Sequence, residues 1–293
     1  MLLYKEKIGV VLSDSGFSKY LTVKDIKDIL KNTYIAFDEQ LFTKYIEKYP
    51  TPVYGYFSDK NNQSYDPDEI ISSGECGDSA NWKLTGDGTL TISGNESISD
   101  YNELETPWND IREKIKHVVI SDGITRIGRY AFFDCYEMED IEIAETVSYI
   151  GDYAFSMTNI ENLEIPENVS EIGNGAFMGN ANLKSVKLPG SLESIGVGLF
   201  MDCDKLSDVT FSEGLSGIPA GSFYMCTSLK SIDIPDSVTV ISSKCFLDTG
   251  ITEVKLPDGL KEILDDSFNA DTKVTWKNTT YNDYNAFFAA FKG

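Results

Sequence analysis

His117 is the only histidine in the 293 residues, and that count removes whole classes of chemistry. A Ser-His-Asp or Cys-His site needs a histidine as base, and a multi-histidine metal site needs several, each with its own partners. Here one histidine lies where a cap segment passes into the first repeat, and it reads as a polar residue at a strand start. Of the five cysteines, Cys135, Cys203 and Cys226 each follow a phenylalanine by three positions. Such a row could be a metal site or a redox pair, and strands about 4.8 Å apart would bring Cys203 and Cys226 within disulfide reach. The equivalent positions elsewhere are Thr158, Asn180 and Thr249, so the row reads as a buried ladder that accepts any small side chain. Cys76 and Cys245 read as core. Carboxylates are plentiful, and a glycosidase needs only two at a defined separation, but here they scatter over exposed repeat positions. The acidic stretch Asp134 to Asp140 lacks the D-x-[DN]-x-[DN]-G order of a calcium loop. The glycines of TGDGTLTISG lack the lysine and following helix of a phosphate loop, so they read as a hairpin turn. The expectation is a protein that is not an enzyme and carries no cofactor and no metal.

Charge narrows the partners. Lys and Arg number 25 against 47 Asp and Glu, a net charge of 25 − 47 = −22, which repels the phosphates of nucleic acid and anionic membrane surfaces. The 41% hydrophobic content is ample for a buried core, yet no window reaches the roughly 20 apolar residues of a membrane helix. The first residues, MLLYKEKIGVVLSDSGF, do not read as a secretory signal, because the apolar run Ile8 to Leu12 is flanked by polar residues. From that stretch alone one expects a chain that stays in the cell, or one whose precursor carried a leader.

The elements that position these residues form a repeat. Phe132, Phe155, Phe177, Phe200, Phe223, Phe246 and Phe268 follow at steps of 23, 22, 23, 23, 23 and 22. An isoleucine five residues earlier keeps step from Ile127 to Ile263, as do the pairs Ile141-Ile143, Leu163-Ile165, Val186-Leu188, Val209-Phe211, Ile232-Ile234 and Val254-Leu256. A period of 20–29 residues with one short strand per unit is the mark of a solenoid. In LKSVKLPGSLESIGVGLFMDC, Val186 and Leu188 alternate with Ser185 and Lys187, as in a strand with one buried face, and Pro189 ends it. Leu192 and Ile195, followed by Gly196, are expected to turn the chain; Leu199 and Phe200 then plug the coil.

The pattern I-G-x-x-A-F-x-x-C-x-x-L-x-x-V-x-I-P resembles the BspA-like leucine-rich repeats of bacterial surface proteins, of the type found in Treponema pallidum, from about Gly74 onward. It weakens downstream, where the glycine becomes Pro219, Ser242 and Leu264. The fold expected is therefore a mainly β solenoid of 22–23-residue leucine-rich repeats with parallel strands and terminal caps, plus a small α-rich amino-terminal domain. The resemblance also implies a cell-surface or secreted role in adhesion or host interaction.

The flanks depart from the repeat, as ends that must close an array should. Trp82-Leu84 and Leu90-Ile92 around Gly86-Asp87-Gly88 predict a hairpin. TPWNDIREKIK predicts a helix with Thr106 as N-cap, Pro107 first, and Trp108, Ile111 and Ile115 on one face. At the other end, a strand around Trp276 and a short helix burying Phe287, Phe288 and Phe291 form the second cap. Within the first 66 residues, Thr22 with Asp25 and then Asp38 open two helical patterns, the second ended by Pro50, and Phe57 to Glu69 reads as a linker. The division is thus 1–66, an α-rich domain with its linker; 67–115, a cap; 116–274, the solenoid; and 275–293, a second cap.

What remains is surface. The outward strand positions form two rows, Asp140, Asn162, Ser185, Asp208, Ser231 and Glu253 beside Glu142, Glu164, Lys187, Thr210, Asp233 and Lys255. They predict a ruled polar face for an unidentified protein or glycan partner, a host extracellular one if the resemblance holds, in a binding protein with no nucleic-acid contact and no membrane insertion. The alternative is an intracellular or spacer scaffold whose amino-terminal domain carries the activity.

Overall fold

The computed structural model describes residues 66–211 and 214–293. The helices expected within residues 1–65 lie outside the described residues. From Ile70 onward the chain opens with three antiparallel strands, β1 (Ile70–Glu75), β2 (Ala80–Thr85) and β3 (Thr89–Gly94), joined in register to the array that follows. The β2–β3 hairpin is the predicted one. Asp87 holds its turn, accepting hydrogen bonds from the Thr85 hydroxyl at 2.7 Å and the Thr89 amide at 2.9 Å. Strand β1, which pairs with β2, was not legible, since IISSGE exposes residues on both of its faces.

After β4 (Glu96–Ser97) the cap helix is a single 3-10 segment, Asn109–Lys114, with no side-chain cap. This corrects the expected start at Thr106: that residue uses its backbone carbonyl, which accepts from the Asn109 amide at 3.0 Å. Trp108 and Ile115 are buried as expected, while Ile111 is only partly covered.

Each coil then supplies two short strands: β5 (His117–Ile120) and β6 (Ile124–Ile127), β7 (Asp140–Ile143) and β8 (Tyr149–Ile150), β9 (Asn162–Glu164) and β10 (Glu171–Ile172), β11 (Ser185–Lys187) and β12 (Ser194–Ile195), β13 (Asp208–Thr210) and β14 (Gly217–Ile218). The next coil has only β15 (Val240–Ile241), and the last has β16 (Glu253–Lys255) and β17 (Glu262–Ile263). Segments expected to turn the chain, such as Ser194-Ile195, therefore also pair in parallel and make a second sheet, β4-β6-β8-β10-β12. Two residues per strand carry too short an alternation to be read as β.

A third ladder runs through the turns around the phenylalanines: Phe132 N–H donates to Ala154 at 2.7 Å, Phe155 to Ala176 at 2.8 Å and Phe200 to Ser222 at 2.8 Å. Inside it the rings stack from coil to coil, with Phe132 and Phe155 centroids 5.1 Å apart and Phe223 and Phe246 parallel at 5.3 Å. No coil could bury such a ring alone; its neighbours supply both faces. The second cap is β18 (Lys273–Trp276), an antiparallel β19 (Thr279–Tyr281), and α1 (Tyr284–Lys292), whose N-cap Asp283 accepts from the Ala286 amide. Helix α1 buries Tyr284 and Phe287, whereas Phe288 and Phe291, expected to be buried, are only partly covered.

Candidate functional site

The first sheet presents the predicted rows. In the three-residue strands of the coils one apolar residue points inward between two that face out: Leu163 is buried between exposed Asn162 and Glu164, and Val209 between Asp208 and Thr210. Strands β9, β11 and β13 are in register, aligning Asn162, Ser185 and Asp208, and beside them Glu164, Lys187 and Thr210. Asp140 and Glu142 lie opposite His117 and Val119, and Glu253 and Lys255 opposite Lys273 and Thr275. Ser231 and Asp233 are exposed around buried Ile232, but their segment is not a strand. Of the twelve, Ser185 alone is half-buried.

The face is not one uninterrupted ladder. Among the described residues, β7 and β9 do not pair, and the sheet of β13 ends before residues 231–234. The two rows thus run over three hydrogen-bonded groups of strands, a feature that strand propensity does not encode.

Local polar contacts tie parts of the rows. His117 Nδ1 lies 2.9 Å from Asp140, Lys187 Nζ 2.9 Å from Glu167, and Lys273 Nζ 3.8 Å from Glu253. The hydrogen bond with Lys187 and the Gly190 amide lowers the Glu167 carboxyl below the usual range, and Glu167 in turn raises Lys187. These groups are solvated, so the pairs position side chains without adding much stability. His117 opens β5, the strand-start role its position predicts.

The small-residue row is inward. Cys135, Thr158, Asn180, Cys203, Cys226 and Thr249 are all buried, and all five cysteines are free thiols. Most of them satisfy a turn carbonyl: Cys203 Sγ donates to Phe177 at 3.3 Å, Cys226 Sγ to Phe200 at 3.1 Å, and Thr249 Oγ1 to Phe246 at 2.8 Å. Asn180 does most, accepting from the Thr158 amide and hydroxyl and donating to the carbonyls of Phe155 and Phe177. Burial pushes the thiols of Cys135 and Cys226 up to about 12, opposite to the low value a reactive thiolate needs. Among the described residues no group of three or more His, Cys, Asp and Glu side chains is arranged to hold a metal. Asp134, within the acidic stretch, instead pairs with Arg112 at 3.4 Å.

Six copies of the BspA type leucine rich repeat region match residues 111–218 and 150–275. The chain belongs to this BspA-type repeat family. No curated protein matches it. Among solved structures, a leucine-rich repeat protein from Eubacterium ventriosum is similar at 25% identity over 66% of this chain and 68% of its own, with a TM-score of 0.45. One from Bacteroides ovatus is 24% identical over 56% of this chain, which spans 54% of that protein's length, at a TM-score of 0.47. The leucine-rich repeat protein of T. pallidum is 22% identical over 64% of this chain and 93% of its own, at 0.48.

The BspA-type array also displays a surface that the sequence reading passed over. Tyr130 and Tyr153 stack at 5.1 Å beside the turn ladder, with Phe133 edge-on to Tyr130. Exposed Met157, Val197 and Met225 belong to the same turns. The available signal was position: each lies within three residues of a repeat phenylalanine, on the side opposite to its inward ring.

Proposed function

We propose that this BspA-type chain is a non-enzymatic interaction protein, displayed at a bacterial surface, that presents the first-sheet face to a protein or glycan partner. The observation that supports it is the register of β9, β11 and β13, which holds Asn162, Ser185 and Asp208 in one outward row and Glu164, Lys187 and Thr210 in the next. Side chains ruled at about 4.8 Å suit an extended ligand, and repeat folds use such faces for binding rather than for chemistry. Asp140, Glu142, Ser231, Asp233, Glu253 and Lys255 extend the rows on both sides. The net charge of −22 disfavours polyanions as partners. In this reading residues 67–115 and 275–293 close the ends of the solenoid 116–274. No helix among the described residues is long and apolar enough to cross a membrane.

The test is binding of the full chain to a panel of extracellular-matrix proteins and neutral and acidic glycans, compared with a Glu164→Lys, Asp208→Lys, Asp233→Lys variant. A partner whose affinity falls about tenfold or more in the variant, a loss of about 1.4 kcal/mol, supports the assignment. Unchanged affinity in a variant with an intact circular dichroism spectrum refutes the face.

A further inference from the structure

The three ladders that join one coil to the next do not all cross every junction. In the second sheet, the amide after each strand isoleucine donates to the preceding coil: Gly151 to Ile127 at 2.9 Å, Gly173 to Ile150 at 2.8 Å, Gly196 to Ile172 at 2.8 Å and Ser242 to Ile218 at 3.0 Å. Two positions leave that series: Leu264, whose amide turns to the Ser267 hydroxyl at 3.2 Å although β15 and β17 still pair, and position 219, which is proline and has no N–H to give. There the sheet divides: β12 ends one group of strands and β14 begins another. The phenylalanine stack loosens at the same junction. Phe200 and Phe223 lie 5.7 Å apart at 22°, the widest and most tilted pair of consecutive rings, against 5.1 Å and 4° for Phe132 and Phe155.

One junction later the break changes sides. Strand β13 is the last of its sheet and residues 231–234 form no strand, while β14 and β15 pair through Gly217 with Val240 and Ile218 with Ile241. The coil that carries β13 and β14 is therefore tied to its predecessor through the first sheet and to its successor through the second. Only the turn ladder crosses both junctions, through bonds such as Asp202 N–H to Tyr224 at 2.9 Å and Met225 N–H to Leu247 at 3.1 Å.

We infer that this coil is a pivot, a seam at which the array divides into two cooperative units, residues 66–206 and 217–293, and about which the strand face changes pitch. The first sheet is also interrupted between β7 and β9 and between residues 231–234 and β16, but at those junctions the second sheet runs through. Only at the β13–β14 coil does neither sheet pass from predecessor to successor, and in an array stabilised by nearest-neighbour interfaces that is where sub-global opening begins. The shorter, carboxyl-terminal unit has fewer interfaces and opens first. The pivot would carry Asp233, Glu253 and Lys255 relative to Asn162, Ser185 and Asp208. It holds whether or not that face binds a partner.

The buried thiols report on the two units separately, since Cys76 and Cys135 lie on one side and Cys226 and Cys245 on the other, each no more than 2% exposed. The experiment is iodoacetamide labelling of the full chain across sub-denaturing urea, with each cysteine followed by mass spectrometry. Cys226 and Cys245 are expected to label together and about tenfold faster than Cys76 and Cys135. In Pro219→Ser, which restores the donor that Ser242 supplies one coil later, the two rates should converge. A single wave of labelling over all four cysteines in the wild type overturns the seam. A gap unchanged in Pro219→Ser overturns the role of the proline.

Discussion

Trp108 stacks on Phe132 with ring centroids 5.3 Å apart and planes within 15°. The cap thereby supplies an aromatic ring where the repeat would supply a phenylalanine, and the Trp108 indole N–H donates to the Ala131 carbonyl at 3.0 Å. Tyr284 covers the other end, its ring tilted 46° against Phe268 at 5.6 Å. Both are fully buried, so the column of rings has no wet end.

Truncating Trp108 to Ala should therefore uncover the column and cost about 3–5 kcal/mol, as for a buried aromatic in any packed core. Phe200→Ala, in mid-array, should cost a similar amount. Urea unfolding monitored by far-UV circular dichroism reads both, and a loss below about 1 kcal/mol for either would contradict the column as the main source of stability.

Asn180 satisfies four buried groups at once, two donors of Thr158 and the carbonyls of Phe155 and Phe177. Asn180→Ala should cost about 2–4 kcal/mol, since orphaned buried polar groups lose their solvation without recompense. Asn180→Cys, the residue the next two coils use, should cost measurably less in the same denaturation assay.

Glycine serves two separate needs, which substitution should tell apart. A Cβ on Gly196 would lie 2.3 Å from the Asn174 amide nitrogen, a backbone atom that cannot step aside, so Gly196→Ala should cost about 1–3 kcal/mol or more. Met157 sits at φ 60°, in the left-handed region that glycine occupies in the next coil at Gly179. Met157→Gly relieves that strain and should raise the melting temperature by an amount equivalent to up to about 1 kcal/mol.

The buried thiols make stability fall in alkali. Burial pushes Cys76, Cys135 and Cys226 from 9.0 up to about 12. The unfolded chain therefore releases protons that the folded chain still holds. The stability these neutral thiols contribute is complete below about pH 9 and is lost as pH rises toward 12. Unfolding free energy measured from pH 8 to 11 should decline, and Cys135→Ala with Cys226→Ala should make the decline shallower. An equal slope in the variant would show that other groups cause it.

The period of phenylalanine, isoleucine and strand pairs was enough to read the solenoid, because each coil repeats the same burial problem and the answer is written at the same spacing. The alternation around Val186 and Val209 likewise placed Ser185, Lys187, Asp208 and Thr210 on the outward face. The chain's lone histidine was informative in a narrower way, since a count of one rules out sites that need several histidines. Other features arose only between coils. The two-residue strands such as Glu171–Ile172, the division of the sheets at Pro219 and before Ser231, and the closing of the aromatic column by Trp108 and Tyr284 depend on which backbone groups of one coil meet those of the next. A sequence period states that coils stack; the hydrogen bonds and ring contacts that decide how firmly each pair stacks are made across about 22 residues of chain, and only the folded array brings those atoms together.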